Sequence, residues 1–220
     1  MKKIFVVLLI VIFALSIVAC GGESEDRVSY RQTSYLVGQE GGFSITVLSG
    51  KRESPYIADG ERGEMLDFCV ITLKPDSASG INDTYTYKID IDGEVLSGTL
   101  KKDTFGSTLS TDLGRDIADK MTAVTIECEG GEVVIGLENM VNNAVISAED
   151  ALDIAKAQFE ERVLQDEENG LYREIYLKFV SDTMGEDSAY YWYVAYVGEG
   201  GDYLAVLIDI VSGDVIAKRS

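Results

Sequence analysis

The residue types that most often carry enzymatic chemistry are sparse in this chain of 220 residues. Histidine, the commonest general base and a frequent zinc ligand, is absent, which excludes Ser-His-Asp and Cys-His catalysis and every zinc site that contains histidine. The cysteines, Cys20, Cys69 and Cys128, lack the Cys-x-x-Cys spacing of a redox or metal centre. We therefore expect a non-enzymatic protein with no catalytic residues, no cofactor and no metal site.

Carboxylates are abundant, with 38 Asp and Glu residues, but their spacing singles out no acid–base pair. Asp209 is the strongest catalytic candidate, although its place before Ser212-Gly213 is better explained by a carboxylate that accepts backbone N–H groups of a turn. The motif Asp90-x-Asp92-Gly93 is similar to the start of a calcium loop. Lys101 occupies the twelfth position, where an EF-hand needs Glu, so a plain hairpin turn is favoured.

The amino terminus has the organisation of an export signal. Lys2 and Lys3 precede an apolar run that ends at Cys20, the pattern of a secretory signal peptide. The segment Ile17-Val18-Ala19-Cys20 resembles the lipobox of bacterial lipoproteins, which implies cleavage before Cys20 and attachment of acyl chains to that residue. An ordinary signal peptide, or an uncleaved anchor with a coincidental cysteine, is the alternative.

These observations predict a lipoprotein signal peptide over residues 1–19 and a lipidated tether over residues 20–33. The tether begins with the small, polar and charged segment Gly21–Asp26, which cannot bury itself. The expected location is the outer face of the cell membrane.

Export also permits a Cys69–Cys128 disulfide. Two buried free thiols are an equally good interpretation, because sequence alone does not place the two Cα atoms within bonding reach.

The charge balance limits the classes of partner. Lys2 and Lys3 are the charged residues of the predicted signal peptide, so the mature part carries 17 basic against 38 acidic side chains, a net charge of −21. Such a balance argues against nucleic acid and against electrostatic binding to anionic lipid. Attachment to the membrane is therefore expected to depend on the lipid at Cys20.

Residues 34–141 alternate between apolar and polar side chains, which predicts an all-β, sandwich-like domain of about seven strands. The predicted strands are Gly42–Leu48, Met65–Leu73, Thr84–Ile91, Glu94–Leu100, Ala123–Glu127 and Glu132–Leu137. Asp92-Gly93 and Gly130-Gly131 tolerate the positive φ that tight hairpins demand. Leu113–Lys120 is predicted as either one helical turn or a crossover corner.

Residues 144–220 predict a small α+β domain in which one helix packs on an antiparallel sheet. Ser147 and Asp150 form a variant of the capping box, and the apolar spacing predicts a helix from Ala148 to about Leu164, with Phe159 at the centre of its buried face. The predicted strands that follow are Tyr172–Val180, Tyr190–Val197, Tyr203–Val211 and Val215–Lys218.

Three motifs in this second region resemble the PepSY domain. They are Ile146-Ser147-Ala148-Glu149-Asp150-Ala151-Leu152-Asp153-Ile154-Ala155, then Tyr191-Trp192-Tyr193-Val194, then Leu207-Ile208-Asp209-Ile210-Val211-Ser212-Gly213-Asp214-Val215-Ile216. Ser212 replaces the usual threonine and preserves a turn hydroxyl. The resemblance implies a non-catalytic interaction module at the cell envelope, and PepSY domains are thought to restrain peptidases.

Strand alternation predicts an interaction face. The aliphatic side chains and Trp192 should face the helix, which leaves an apolar set on the other side, namely Tyr191, Tyr193, Tyr203 and Leu207. Such a set marks an interface, since tyrosine is enriched in interfaces. Either the sandwich-like domain covers this face within the chain, or the face stays open for a secreted or envelope protein.

The expected function is therefore that of a membrane-anchored, extracytoplasmic lipoprotein that binds or regulates a protein partner without catalysis, with restraint of a secreted peptidase as its suggested role. A structural or small-ligand-binding envelope lipoprotein is the alternative.

Overall fold

The structure, a computed structural model, describes residues 27–57, 59, 62–76, 84–103, 108–182 and 189–220. In these residues one α-helix, α1 (Ala148–Glu168), packs on a large mixed β-sheet. The expected β-rich fold with a helix on a sheet is thus confirmed. Cys20, the signal peptide and the first part of the tether lie outside the described residues. The described helices do not reach the combination of length and apolar character that crossing a membrane requires.

The described strands are numbered in chain order, and α1 lies between the ninth and the tenth of them. They are β1 (Val28–Glu40), β2 (Phe43–Glu53), β3 (Met65–Pro75), β4 (Tyr85–Ile91), β5 (Glu94–Lys102), β6 (Leu109–Asp112), β7 (Ala123–Cys128), β8 (Gly131–Gly136), β9 (Glu138–Asn139), β10 (Glu174–Asp182), β11 (Ala189–Val197), β12 (Tyr203–Asp209) and β13 (Val215–Arg219). Their order in the sheet is β13-β12-β11-β10-β1-β2-β3-β6-β5-β4-β7-β8, and β9 pairs with β1.

Strand β1 joins the two parts of the sheet. Its first residues pair in parallel with β10, with Val28 opposite Ile175, whereas Leu36 and Val37 pair with β9. Strand β2 runs antiparallel to β1 along its whole length. The path of strands β1 to β8 therefore returns to β1 through β9, and we call this rolled sheet the barrel.

The barrel closes where two backbones meet without side chains between them. A Cβ atom on Gly38 of β1 would collide with the carbonyl oxygen of Gly136 at the end of β8. Glycine at this position therefore permits the close approach that closure requires. The barrel encloses a continuous apolar core, and its fully buried large side chains include Leu36, Ile45, Ile71, Leu73, Ile89, Ile126 and Ile135.

Helix α1 forms a second core with strands β10 to β12. Ser147 caps the helix, since its hydroxyl accepts from the Asp150 N–H while the Asp150 carboxylate accepts from the Ser147 N–H, which confirms the predicted capping box. Ala151, Leu152, Ala155 and Phe159 turn one helix face toward the sheet and are buried there. The helix continues one turn beyond its predicted end, to Glu168.

The structure corrects three expectations about the first half of the chain. Residues 28–33, which the tether was predicted to include, belong to β1, and β6 was not predicted. The separate sandwich is replaced by a barrel that shares β1 with the helix-bearing part of the sheet. The reason is non-local: β1 is polar in sequence, yet Ser29, Gln32 and Ser34 are buried between neighbouring strands.

Gln32 shows how a polar residue is accommodated in this central strand. Strand β1 pairs with β10 as far as Arg31, and the register of its pairing with β2 shifts between Gln32 and Ser34. The Gln32 amide fills this irregularity, because its oxygen accepts from the Phe179 N–H at 3.3 Å and its nitrogen donates to the Ser34 carbonyl at 3.2 Å. Buried backbone groups that lack strand partners thereby gain hydrogen bonds.

Candidate functional site

The four side chains of the predicted interaction face lie together on the surface of the sheet. Strands β11 and β12 are antiparallel neighbours, and Tyr193 lies directly opposite Leu207. Tyr191 lies opposite Asp209 on one side of this pair, and Tyr203 lies opposite Val197 on the other side. All four predicted side chains are half-buried. Neither of the two hydrophobic cores in the described residues contains any of the four.

The opposite side of the same strands is covered by α1. Trp192 is 1% exposed, and its indole N–H donates to the Ile146 carbonyl oxygen at 2.8 Å. Phe159 packs edge-on against Tyr196, with ring centroids 5.8 Å apart. The helix thus packs on the aliphatic side with Trp192, as the alternation predicted, and the tyrosine side remains the outer side of the sheet.

Strands β1 and β10 extend the tyrosine side, and the sequence analysis missed this extension. Tyr30 lies opposite Tyr176, with ring centroids 6.1 Å apart, and Tyr30 also contacts Phe68 of β3 at 5.2 Å. Phe68 alternates with Cys69, which points into the barrel core, so Phe68 lies on the outside of the barrel wall. Prediction of Tyr30 would have required β1 to be recognised as a strand from Val28 onward.

We call this surface the outer face. It consists of the four predicted residues together with Tyr30, Phe68, Tyr176, Lys178 and Arg219. It crosses the sheet from β3 to β13. Part of this face is covered within the chain, because Phe68 is 1% exposed and Tyr56 of the β2–β3 connection packs on Tyr176, with ring centroids 5.5 Å apart. Over β11 and β12 the described residues place no second layer on the tyrosine side as α1 does on the other side.

Cations are placed among the aromatic rings of the outer face. The Lys178 ammonium lies 4.9 Å from the centroid of Tyr30 and 5.5 Å from that of Tyr176. The Arg219 guanidinium lies 3.8 Å from the centroid of the Tyr203 ring. These are cation–π distances. Lys178 makes no ion pair with a carboxylate of the described residues, and burial lowers its pKa.

Tyr30, Tyr176 and Tyr193 of the outer face are neutral near pH 7. Burial raises the pKa of Tyr30, Tyr176 and Tyr193 above the ordinary value, so their hydroxyl groups stay protonated. The outer face therefore presents neutral rings with hydrogen-bonding hydroxyls and cations, in a chain whose net charge is strongly negative.

A cleft of about 400 Å³ lies beside the start of α1. Val141, Ala144 and Ile146 give it an apolar lining, and Arg31 and Glu149 form an ion pair among its lining residues. The volume is within the range of roughly 300–1,000 Å³ that small-molecule sites occupy. Because the Asp150 carboxylate and the Ser147 hydroxyl already satisfy helix N–H groups, this helix end is not organised as an anion site.

Cys69 and Cys128 are free thiols in the structure, so the disulfide interpretation is not the arrangement found. Cys69 points into the barrel core, where burial, reinforced by Asp112 and Asp116, raises its pKa to about 12. A thiol in this state is a poor nucleophile, because the reactive form is the thiolate. Cys128 is half-buried at the end of β7.

The carboxylates considered as chemical candidates serve as turn acceptors. Asp209 accepts from the Val211 and Ser212 N–H groups at 2.9 and 2.8 Å, and these bonds lower its pKa. Asp90 accepts from the Gly93 N–H at 2.9 Å in a hairpin that joins β4 to β5. The described residues contain no group of three or more metal-binding side chains close enough to share an ion.

Comparison of the chain with protein-family models, with curated proteins and with solved structures found no match.

Proposed function

We propose that this chain is a lipid-anchored, extracytoplasmic binding protein that captures a protein partner on its outer face and performs no catalysis itself. The observation that carries the proposal is the outer face: aromatic rings and cations on a sheet whose opposite side is closed by α1. The lipid on Cys20 would hold this face at the cell surface.

A protein segment fits the outer face better than other occupants do. Tyrosine and arginine are enriched in protein interfaces, because they supply large contact areas together with hydrogen-bonding or charged groups. The outer face carries Tyr30, Tyr176, Tyr193 and Tyr203, and Arg219 lies over the Tyr203 ring. Its hydroxyl groups also suit the polar backbone of a polypeptide.

The surroundings of Lys178 indicate which chemical group the partner presents to it. Its ammonium is half-buried between two tyrosine rings and has no carboxylate partner in the described part of the chain. A carboxylate from a partner would form a charge-assisted hydrogen bond there and compensate the desolvation of the ammonium. We infer a partner segment that presents apolar side chains to the tyrosines and a carboxylate to Lys178.

The organisation into two units is also part of this proposal. Residues 34–141 would form the barrel unit, and residues 144–220 would form a PepSY-like α+β unit completed by the first half of β1. The three motifs that resemble PepSY domains suggest that the partner is a secreted peptidase and that binding restrains it. Addition of the mature protein to such a peptidase, once captured, should then lower its activity.

The outer face is tested by the double substitution Tyr191→Ser and Tyr193→Ser in the full mature chain. We expect loss of the proteins that wild type captures from culture fluid and envelope fractions, with little change in the urea midpoint of unfolding, because both side chains lie outside the two cores. Quantitative mass spectrometry of the captured proteins, together with urea unfolding curves, measures the two effects.

A matched control distinguishes this outcome from a general surface effect. Val95→Ser alters an exposed apolar side chain of β5, away from the outer face, and should leave capture unchanged. Lys178→Glu should abolish capture of the same protein by reversing one charge. A large fall in the stability of the double variant would show that the tyrosines pack within the chain, and unchanged capture would rule out the outer face.

The anchor is tested by Cys20→Ala. Labelling of cells with a fatty-acid analogue should mark the wild-type protein and leave the variant unlabelled, as an unprocessed precursor or a released protein, because the lipobox-like segment offers no second cysteine. Equal label on both proteins would contradict the lipoprotein proposal, whereas Cys69→Ala serves as the control that keeps its label.

The second candidate function is small-ligand binding in the cleft beside α1. It is favoured by the cleft volume of about 400 Å³ and by its apolar lining with polar groups at hand. Native mass spectrometry of the protein purified from its own cells distinguishes the two candidates. A retained small molecule, together with capture that does not depend on the outer face, would favour the cleft.

A further inference from the structure

One end of the sheet gathers the start of the described chain and several loops. Val28 lies opposite Ile175 at the start of β10, and Glu174 lies opposite Val197 at the end of β11. The end of β2 and the start of β3 meet here as well. We call this the proximal end and define its loop residues as Tyr56, Ile57, Leu171, Tyr172 and Gly198–Asp202.

The proximal end exposes four large apolar side chains. Ile57 is 55% exposed, Leu171 51%, Tyr56 49% and Tyr172 47%. The Asp59 N–H donates both to the Ile57 carbonyl and to the Glu174 carboxylate, which holds this loop beside β10. Asp59 lines one cleft together with Leu171 and Tyr172. The four exposed side chains therefore lie at the same end of the sheet, and we call them the patch.

The chain connection places this patch next to the predicted anchor. Six residues, 21–26, separate Cys20 from Arg27. A fully extended connection of this length spans at most roughly 25 Å. The Arg27 side chain pairs with Glu167 at the end of α1 and lies 4.9 Å from the Tyr172 ring centroid, which ties the start of the chain to the patch.

The other end of the molecule is much farther from the anchor. Strand β1 runs 13 residues from the proximal end to the β1–β2 turn, which is about 40 Å at the usual rise of roughly 3.3 Å per residue. A Cβ atom on Gly41 in that turn would touch Val133 of β8, so Val134 lies near this distal end. Val134 is 61% exposed, which makes it a matched reference for the patch.

We propose that the proximal end rests on the bilayer surface, with Tyr56, Ile57, Leu171 and Tyr172 in the headgroup region. The occupant is a lipid surface, because the lipidated residue would lie within a short connection of the patch, and aliphatic and tyrosine side chains favour the membrane interface. This inference rests on the proposed lipid anchor. It orients the strands away from the membrane and directs the barrel outward.

The exposed carboxylates of the proximal end determine which lipid is suitable for the test. Glu168 and Glu199 are exposed at the proximal end, so anionic lipid would repel it, and neutral phosphatidylcholine is the appropriate probe. The mature chain with Cys128→Ser is coupled through Cys20 to a maleimide lipid in such vesicles, while fully buried Cys69 stays unmodified. Chemical coupling makes the result independent of whether cells acylate Cys20, which the fatty-acid label tests separately.

The readout is quenching of tryptophan by lipids brominated near the headgroup end of their acyl chains. Ile57→Trp, Leu171→Trp and Val134→Trp each add one tryptophan to buried Trp192, which provides the common background. We expect the lipids to quench the added emission of Ile57→Trp and Leu171→Trp. The added emission of Val134→Trp should stay unchanged. Equal quenching at all three positions, or quenching at Val134 alone, would overturn the proposal, as would no quenching at either proximal position.

Discussion

Phe159→Ala should destabilise the protein by about 3–5 kcal/mol, the usual loss when a buried phenylalanine site is emptied. Phe159 is 3% exposed at the centre of the buried helix face, where its ring meets Tyr196 and the Lys218 ammonium lies 4.8 Å from its centroid. Urea unfolding measures the loss. The full mature chain is required, because the α+β part of the sheet is incomplete without β1.

The control for this prediction lies five residues farther along the same helix. Leu164 is 53% exposed, and Leu164→Ala should change the free energy of unfolding by less than about 1 kcal/mol. Alanine has a higher helix propensity than phenylalanine or leucine, so a change in propensity would stabilise the helix and does not explain a loss. A loss below about 1 kcal/mol for Phe159→Ala would mean that the helix does not bury this face.

Arg173→Met should also destabilise the fold by about 3–5 kcal/mol, because it removes the buried partner of the Asp166 carboxylate and leaves this buried charge with exposed Arg162 alone. The Arg173 side chain is 6% exposed, and its Nε donates to Asp166 at 2.7 Å while its Nη2 donates to Asp202 at 2.8 Å. Asp166 lies in the last turn of α1, Arg173 immediately precedes β10, and Asp202 lies in the β11–β12 turn, so one guanidinium connects the helix to this turn. Urea unfolding at neutral pH measures the effect.

Arg162→Met is the matched control within the same cluster. Arg162 contacts the same Asp166 carboxylate, but its side chain is 55% exposed, so its removal should cost about 0–1 kcal/mol. The hydrogen bond from Arg173 lowers the pKa of Asp202. The stability that this bond contributes is therefore present at neutral pH and is lost as the pH falls through the pKa of Asp202 in the folded protein. In Arg173→Met the pKa of Asp202 should therefore rise. Equal losses of stability for Arg173→Met and Arg162→Met would contradict the larger contribution expected from the buried guanidinium.

Local sequence signals predicted the elements that neighbouring residues determine. Asp92-Gly93 forms the expected tight turn, with φ of 54° and 87°, because these residues tolerate the left-handed region. The second predicted turn is one residue out of register, since Cys128 pairs with Gly131 and the turn is Glu129-Gly130. Alternation also assigned Trp192 and Tyr193 correctly to opposite sides of β11.

The candidate site was predictable only where both strands were recognised. Tyr191, Tyr193, Tyr203 and Leu207 lie on two strands that alternate clearly, and their grouping followed from antiparallel pairing of neighbours. The contribution of Tyr30 was not predictable in the same way, because the polar residues around it are typical of a linker. Its place in the sheet depends on pairing with β10, which lies far away along the chain.

The sequence by itself determined the helix with its cap, most of the strands, the hairpin at Asp92-Gly93 and the side of the sheet that α1 covers, because each of these follows from residues close together in the chain. The tertiary structure decided that β1 is shared, that the barrel closes at Gly38 and Gly136, and that Cys69 and Cys128 remain separate thiols. These features depend on contacts between distant segments. Local propensity carries little information about such contacts, since burial and backbone hydrogen bonding across the whole sheet select them.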